Sequence, residues 1–101
     1  MKILNTKLDG IKLISLNKFG DNRGEFFESF NENRYKNFDL DLNYPQDNFS
    51  TSKKNVLRGL HFRRSNPQKQ IVTVLRGKIF DVVVDLRINS KTFGKWLSFE
   101  L

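Results

Sequence analysis

The sequence predicts an all-β domain, a sandwich or barrel of short strands that carries one short helix. Residues 70–87 contain two β-branched runs around a glycine turn, which is a strong strand signal. Several other short apolar stretches are separated by turn-forming residues such as those of 20–24. A helical pattern is confined to 31–38. Many short strands with one helix are typical of a layered β fold.

Each element follows from local composition. Alternating apolar residues predict strands, glycine and asparagine predict turns, and an asparagine before a polar-apolar pattern predicts a capped helix. In chain order we predict a strand over 10–19, a turn over 20–24, a strand over 25–30, a helix over 31–38 capped by Asn31, a loop over 39–45, and strands over 56–63 and 93–101.

Residues 70–87 predict an antiparallel hairpin that turns at Gly77. In its second strand Phe80, Val82, Val84 and Leu86 share one face, while Ile79, Asp81, Val83 and Asp85 share the other. The two aspartates either meet solvent or basic partners, or face a polar barrel interior. The pattern does not choose between them.

Composition indicates a single domain over 1–101 in the cytoplasm. The 101 residues have no cysteine, so disulfides and thiolate metal sites are excluded. No stretch nears the roughly 18 apolar residues that span a bilayer, and the N-terminus has no signal-peptide pattern. The formal charge of +7 suits an anionic ligand. Because the basic residues are mostly scattered and no DNA-binding motif accompanies them, we expect neither nucleic acid nor membrane as a partner.

The sole histidine, His61, lies beside the permanently charged Arg58. A lone histidine on a strand is often structural, and one histidine cannot supply the ligand set of a metal-binding cupin. Without metal, imidazole is best suited to proton transfer. Arg58 and His61 would point to opposite faces of an ideal strand, so we predict a backbone irregularity near Gly59-Leu60.

Four motifs resemble those of the dTDP-4-dehydrorhamnose 3,5-epimerase family in order and approximate spacing. They cover nearly the whole chain: Phe19–Phe30, Gln46–Ser52, Asn55–Phe62, and Gly77 through Arg87 followed by Ser90–Trp96. The resemblance implies a cupin-type jelly roll that acts without metal or other cofactor, usually as a homodimer. It also implies inversion of C3 and C5 in a dTDP-4-keto-6-deoxyglucose or a related nucleotide sugar, on the route to dTDP-L-rhamnose.

The resemblance assigns roles to individual residues. His61 would be the general base, and Arg58, Gln46 and Asn48 would contact the nucleotide sugar. Arg23 and Glu28 match substrate-binding positions offered across the dimer interface. Each also has a plain structural interpretation: Arg23 as turn chemistry, Glu28 as a solvated strand residue, the two amides as loop residues, and Arg58 as a surface charge.

The sequence departs from the family pattern in its polar residues and its extent. Gln70 stands where the family has a lysine that steadies the enolate, and Arg63 replaces the usual glutamine. In the family, the tyrosine that acts as the acid and the aspartate that orients the histidine both lie in the C-terminal half, beyond Leu101. Fewer strands are predicted than the roughly eight of a jelly roll, so we expect a partial domain, incomplete at the C-terminus. The alternative function is a noncatalytic module that binds sugar nucleotide or supports oligomerisation.

Overall fold

A computed structural model describes residues 1–38, 40 and 43–101. In chain order, the elements are β1 (Lys2–Asn5), β2 (Lys12–Ser15), β3 (Lys18–Asp21), β4 (Gly24–Phe27), α1 (Glu32–Lys36), β5 (Phe80–Val84) and β6 (Trp96–Glu100). The predicted all-β class with one short helix is therefore confirmed. Part of the predicted 39–45 loop, namely Asp39, Asp41 and Leu42, lies outside the described residues.

The strands form three antiparallel pairs, β1 with β2, β3 with β4, and β5 with β6. In the second pair Phe19 lies opposite Phe26, and Asp21 lies opposite Gly24 across a tight turn. In the third pair Val82 lies opposite Ser98. The predicted strand over 10–19 is divided, because its two ends pair with different partners, β1 and β4.

The helix α1 forms as the sequence predicts. The Asn31 side chain accepts a hydrogen bond of 3.1 Å from the backbone N–H of Arg34, which satisfies one of the free donors of the first turn. Tyr35 turns inward, packs its ring 5.0 Å from that of Phe30, and donates its hydroxyl to the Ser29 carbonyl at 3.2 Å. Tyr35 is 2% exposed, so this short helix is fixed chiefly by its one buried ring.

Two predicted strands are wrong. Residues 56–63 and the first half of the hairpin, 70–75, contain no strand, and β5 pairs with β6 instead of with 70–75. β-branched composition shows only that a segment suits a sheet; the choice of partner depends on packing elsewhere. At 56–63 the backbone is also interrupted by Gly59, which has a positive φ of 101°.

The end of β5 anchors the N-terminal hairpin. Asp85 is 6% exposed, and its carboxylate accepts hydrogen bonds from Ser90 Oγ at 2.6 Å and Thr92 Oγ1 at 2.7 Å. Arg87 donates Nε and Nη2 to the same carboxylate, each at 2.9 Å, and Nη2 also to the Asp9 carbonyl at 3.0 Å. Asp85 therefore has the basic partner that the sequence allowed, in a buried position and not in solvent.

Large apolar side chains remain exposed over much of the surface. Within the described residues, the buried hydrophobic residues are Leu8 and Tyr35. Leu57 and Ile88, by contrast, are more than four-fifths exposed, and several phenylalanines are nearly as open. No helix among the described residues is long and apolar enough to cross a bilayer.

Candidate functional site

The predicted irregularity beside His61 is present. Gly59 has a φ of 101°, and the Gly59-Leu60 peptide bond is cis. A Cβ placed on Gly59 would lie 3.2 Å from Nδ1 of His61 and 3.3 Å from its backbone nitrogen. The backbone at Gly59 therefore approaches the imidazole more closely than a larger residue would allow. The imidazole itself is exposed, and it makes no side-chain hydrogen bond within the described part of the chain.

Arg58 closes the loop that precedes His61. Its Nε donates to Ser52 Oγ at 3.0 Å, and its Nη2 donates to the Thr51 carbonyl at 3.2 Å. The chain reverses between these residues, where Asn55 adopts a φ of 67° that asparagine tolerates well. Arg58 is therefore held by neutral acceptors, and its positive charge is not offset by a carboxylate there.

Gln46 and Asn48 lie side by side, because the Gln46 amide donates its Nε2 hydrogen to Asn48 Oδ1 at 3.0 Å. Both side chains are exposed. The bond fixes which groups remain free: the Gln46 carbonyl oxygen can accept, and the Asn48 amide can donate. Such a mixed donor-acceptor pair suits a polar ligand with hydroxyl or imide groups.

Arg23 occupies the tip of the β3–β4 hairpin. Its backbone N–H donates to Asp21 Oδ1 at 2.8 Å, and its guanidinium donates to Asp21 Oδ2 at 3.0 and 2.6 Å. These hydrogen bonds lower the pKa of Asp21 and raise the pKa of Arg23. The Arg23 side chain is nonetheless 86% exposed, and it lines an open cleft of about 440 Å³ with Phe19 and Phe26.

Glu28 lies between β4 and α1. Its carboxylate is 3.4 Å from Nε of Arg34 and accepts a 3.1 Å hydrogen bond from Nδ2 of Asn31. Glu28 is therefore more than a solvated strand residue, because its contacts also stabilise the start of α1. Gln70 is exposed, and its side chain forms no hydrogen bond with any described residue.

The structure thus joins some predicted site residues and leaves others apart. Gln46 contacts Asn48, whereas no hydrogen bond or ion pair within 1–38, 40 and 43–101 joins Arg23, Glu28 or His61 to another predicted site residue. The described residues also hold no cluster of three or more potential metal ligands from His, Cys, Asp and Glu.

Sequence reasoning missed a repeated Asp-x-Arg arrangement. In each case the aspartate carboxylate accepts hydrogen bonds from both the backbone N–H and the guanidinium of the arginine two residues later. The two pairs are Asp21 with Arg23 and Asp85 with Arg87. The spacing was a usable signal, because aspartate commonly accepts from the backbone two residues later. The second arrangement also lowers the pKa of Asp85, chiefly through Arg87, with further lowering by Ser90 and Thr92.

Comparison with known proteins places this geometry in a family. The family model described as dTDP-4-dehydrorhamnose 3,5-epimerase matches residues 5–101. Curated proteins of that name from Methanothermobacter thermautotrophicus and Escherichia coli are 47% and 44% identical to this chain over 99% and 96% of its length. In each case the match covers 54% of the relative, so the chain spans about half the length of the curated relatives it matches.

A solved structure matches equally well. The dTDP-6-deoxy-D-glucose-3,5-epimerase of Legionella pneumophila, in complex with dTDP-4-keto-L-rhamnose, is 46% identical and superposes with a TM-score of 0.92. The match covers 99% of this chain and 54% of that one, which confirms the cupin-type jelly-roll class. On sequence and fold together, the chain belongs to the dTDP-4-dehydrorhamnose 3,5-epimerase family.

Proposed function

We propose that this chain supplies the base-bearing part of an epimerase that inverts C3 and C5 of a dTDP-4-keto-6-deoxyhexose. The observation that carries the proposal is its close match, over nearly all its length, to an epimerase structure bound to dTDP-4-keto-L-rhamnose. The enzyme would act in the cytoplasm on the route to dTDP-L-rhamnose, without a nucleic-acid or membrane partner.

The chemistry suits the residues present. A ketone at C4 acidifies the hydrogens on C3 and C5, so a base can remove one of them and leave an enolate. His61 is the proposed base, since imidazole accepts and returns protons near neutral pH. Its exposure gives a substrate direct access. Inversion then requires a proton from the opposite face of the sugar.

Polar and charged neighbours would hold the substrate. Arg58, whose charge is not offset by the neutral groups that orient it, would bind the substrate next to His61. The Gln46–Asn48 amide pair offers one acceptor and one donor. Gln70 would donate a neutral hydrogen bond to the enolate oxygen, about half as strong as the charge-assisted bond of a lysine.

Arg23 and Glu28 would act across a homodimer. Arg23 lies at an exposed hairpin tip, where its guanidinium can reach a second molecule without losing the Asp21 contact that orients it. Glu28 is fixed by Arg34 and Asn31. Both residues would therefore complete the substrate site of the partner subunit.

A noncatalytic sugar-nucleotide-binding module is the second candidate. Tyr35 is buried and donates to the Ser29 carbonyl, so it is not free to protonate a substrate opposite His61. Tyr44, the other tyrosine in the sequence, is half-buried and lies in a loop. A chain that binds dTDP sugars but does not exchange their protons would fit this second candidate.

Deuterium wash-in separates the two. The chain is incubated with dTDP-4-keto-6-deoxyglucose in heavy water, and exchange at C3 and C5 is followed by NMR. We expect exchange that falls at least about 100-fold in His61→Ala, the usual scale of a lost general base. Lys91→Ala, an exposed position outside the proposed site, is the control. Binding without exchange by the folded chain favours the module, and neither binding nor exchange refutes both.

A further inference from the structure

The net positive charge of the protein comes from one segment. Residues 48–80 contain eight of the 18 Lys and Arg residues and no Asp or Glu. The rest of the chain has ten basic and eleven acidic residues, so the formal charge of +7 comes entirely from this segment. His61 lies inside it.

Half of the ten cations outside this segment form ion pairs, whereas those around His61 form none with any described residue. Lys18, Arg23, Arg34, Lys36 and Arg87 each form an ion pair with a carboxylate. Around His61, Arg58 and four further cations form no ion pair with any described residue. The four, Lys53, Lys54, Arg63 and Arg64, are called the basic surface. All four side chains are exposed, so a ligand in solvent can approach their charges directly.

The basic surface lies close to His61 by chain geometry. Arg63 and Arg64 are two and three residues from it, at most about 7 and 11 Å along an extended chain. Lys53 and Lys54 follow Ser52, which the Arg58 guanidinium holds at 3.0 Å, and Arg58 is itself three residues from His61. The separations of Arg63 and Arg64 from His61 are comparable with the Debye length of about 8 Å at physiological ionic strength, so screening does not remove the attraction of these two charges.

We propose that the basic surface recruits the diphosphate of the nucleotide-sugar substrate electrostatically and directs it to His61. The inference rests on the proposed function and adds residues to it. A cluster of unpaired cations beside a reactive group raises the local concentration and association rate of an anionic ligand. The Gln46–Asn48 amide pair, which ends five residues before Lys53 in the sequence, offers a small polar ligand one acceptor and one donor.

The test is calorimetric titration of the chain with dTDP and with inorganic pyrophosphate at two salt concentrations. Arg63→Gln/Arg64→Gln and Lys53→Gln/Lys54→Gln each remove two charges from the basic surface. Lys2→Gln/Lys7→Gln removes two exposed charges elsewhere and is the matched control. For each basic-surface pair we expect affinity to fall roughly 3-fold at 0.15 M salt and nearly 10-fold at 0.01 M, with a change below about 2-fold in the control.

Equal losses in the control and basic-surface variants would overturn the proposal, because net charge alone would then explain them. So would tight, steeply salt-dependent binding of a single-stranded oligonucleotide with no binding of pyrophosphate, which would indicate a nucleic-acid surface. Deuterium exchange keeps the two proposals separate. If the chain exchanges substrate protons but the basic-surface variants keep their affinities, recruitment is refuted and epimerisation stands. If those variants selectively lose pyrophosphate affinity but the chain catalyses no exchange, epimerisation is refuted and recruitment stands.

Discussion

Tyr35 provides a sharp test of how this fold is held, because a single buried ring fixes α1. Tyr35→Phe removes the 3.2 Å hydrogen bond to the Ser29 carbonyl and keeps the packing against Phe30. A lost hydrogen bond of this kind costs about 1 kcal/mol of unfolding free energy. Tyr35→Ala also removes the ring from a site only 2% exposed, for which aromatic truncation costs about 3–5 kcal/mol.

Thermal unfolding followed by circular dichroism measures both effects. At about 4–8 °C per kcal/mol for a domain of this size, Tyr35→Phe should lower Tm by that amount, and Tyr35→Ala by roughly three to five times as much. Phe49→Ala is the matched control, because Phe49 is 75% exposed. It should change stability by less than about 0.5 kcal/mol. If Tyr35→Ala and Phe49→Ala had the same effect, the claim that Tyr35 anchors the helix would fail.

Three further predictions concern the helix cap, the buried carboxylate and the glycine beside His61. Asn31→Ala, which removes the cap, should cost about 1 kcal/mol in urea unfolding, and Asn31→Ser should restore most of it. Because the pKa of Asp85 is lowered on folding, its contribution to stability is present above the unfolded pKa near 4 and is lost as the pH falls below it. Asp85→Asn should therefore reduce the urea midpoint at pH 7 and flatten its decline in acid; an unchanged acid slope would contradict the assignment. Gly59→Ala should slow deuterium exchange about tenfold or more, since its Cβ would press on His61, while lowering stability by only about 1–3 kcal/mol. Normal exchange in that variant would show that the close approach has no role.

Local signals in the sequence predicted local features well. Asn31 marked the helix start because its side chain satisfies donors within the same turn, and Gly59 marked the irregularity because glycine readily adopts the positive φ found there. The β3–β4 turn was equally local, since residues 20–24 carry the required turn chemistry. Each of these features depends on residues within a few positions of one another.

Strand partnership was not predictable in the same way. Residues 70–75 and 80–84 have similar β-branched composition, yet only the second forms a ladder, with β6. That choice depends on which chain segment packs alongside, which composition does not encode. The contact of Glu28 with Arg34, six residues further along the chain, likewise required the folded structure, because it joins the residue after β4 to α1.

The hydrogen bond from Arg87 to the Asp9 carbonyl has a consequence for the order of folding. It joins positions 78 residues apart, whereas the β1–β2 and β3–β4 pairs each close within a short stretch of chain. Non-local contacts form later, because the intervening chain must lose entropy before they contribute. During synthesis the N-terminal hairpin can form early but cannot dock until residue 87 has left the ribosome. The link between Asp9 and Arg87 therefore forms only late in the synthesis of residues 1–101.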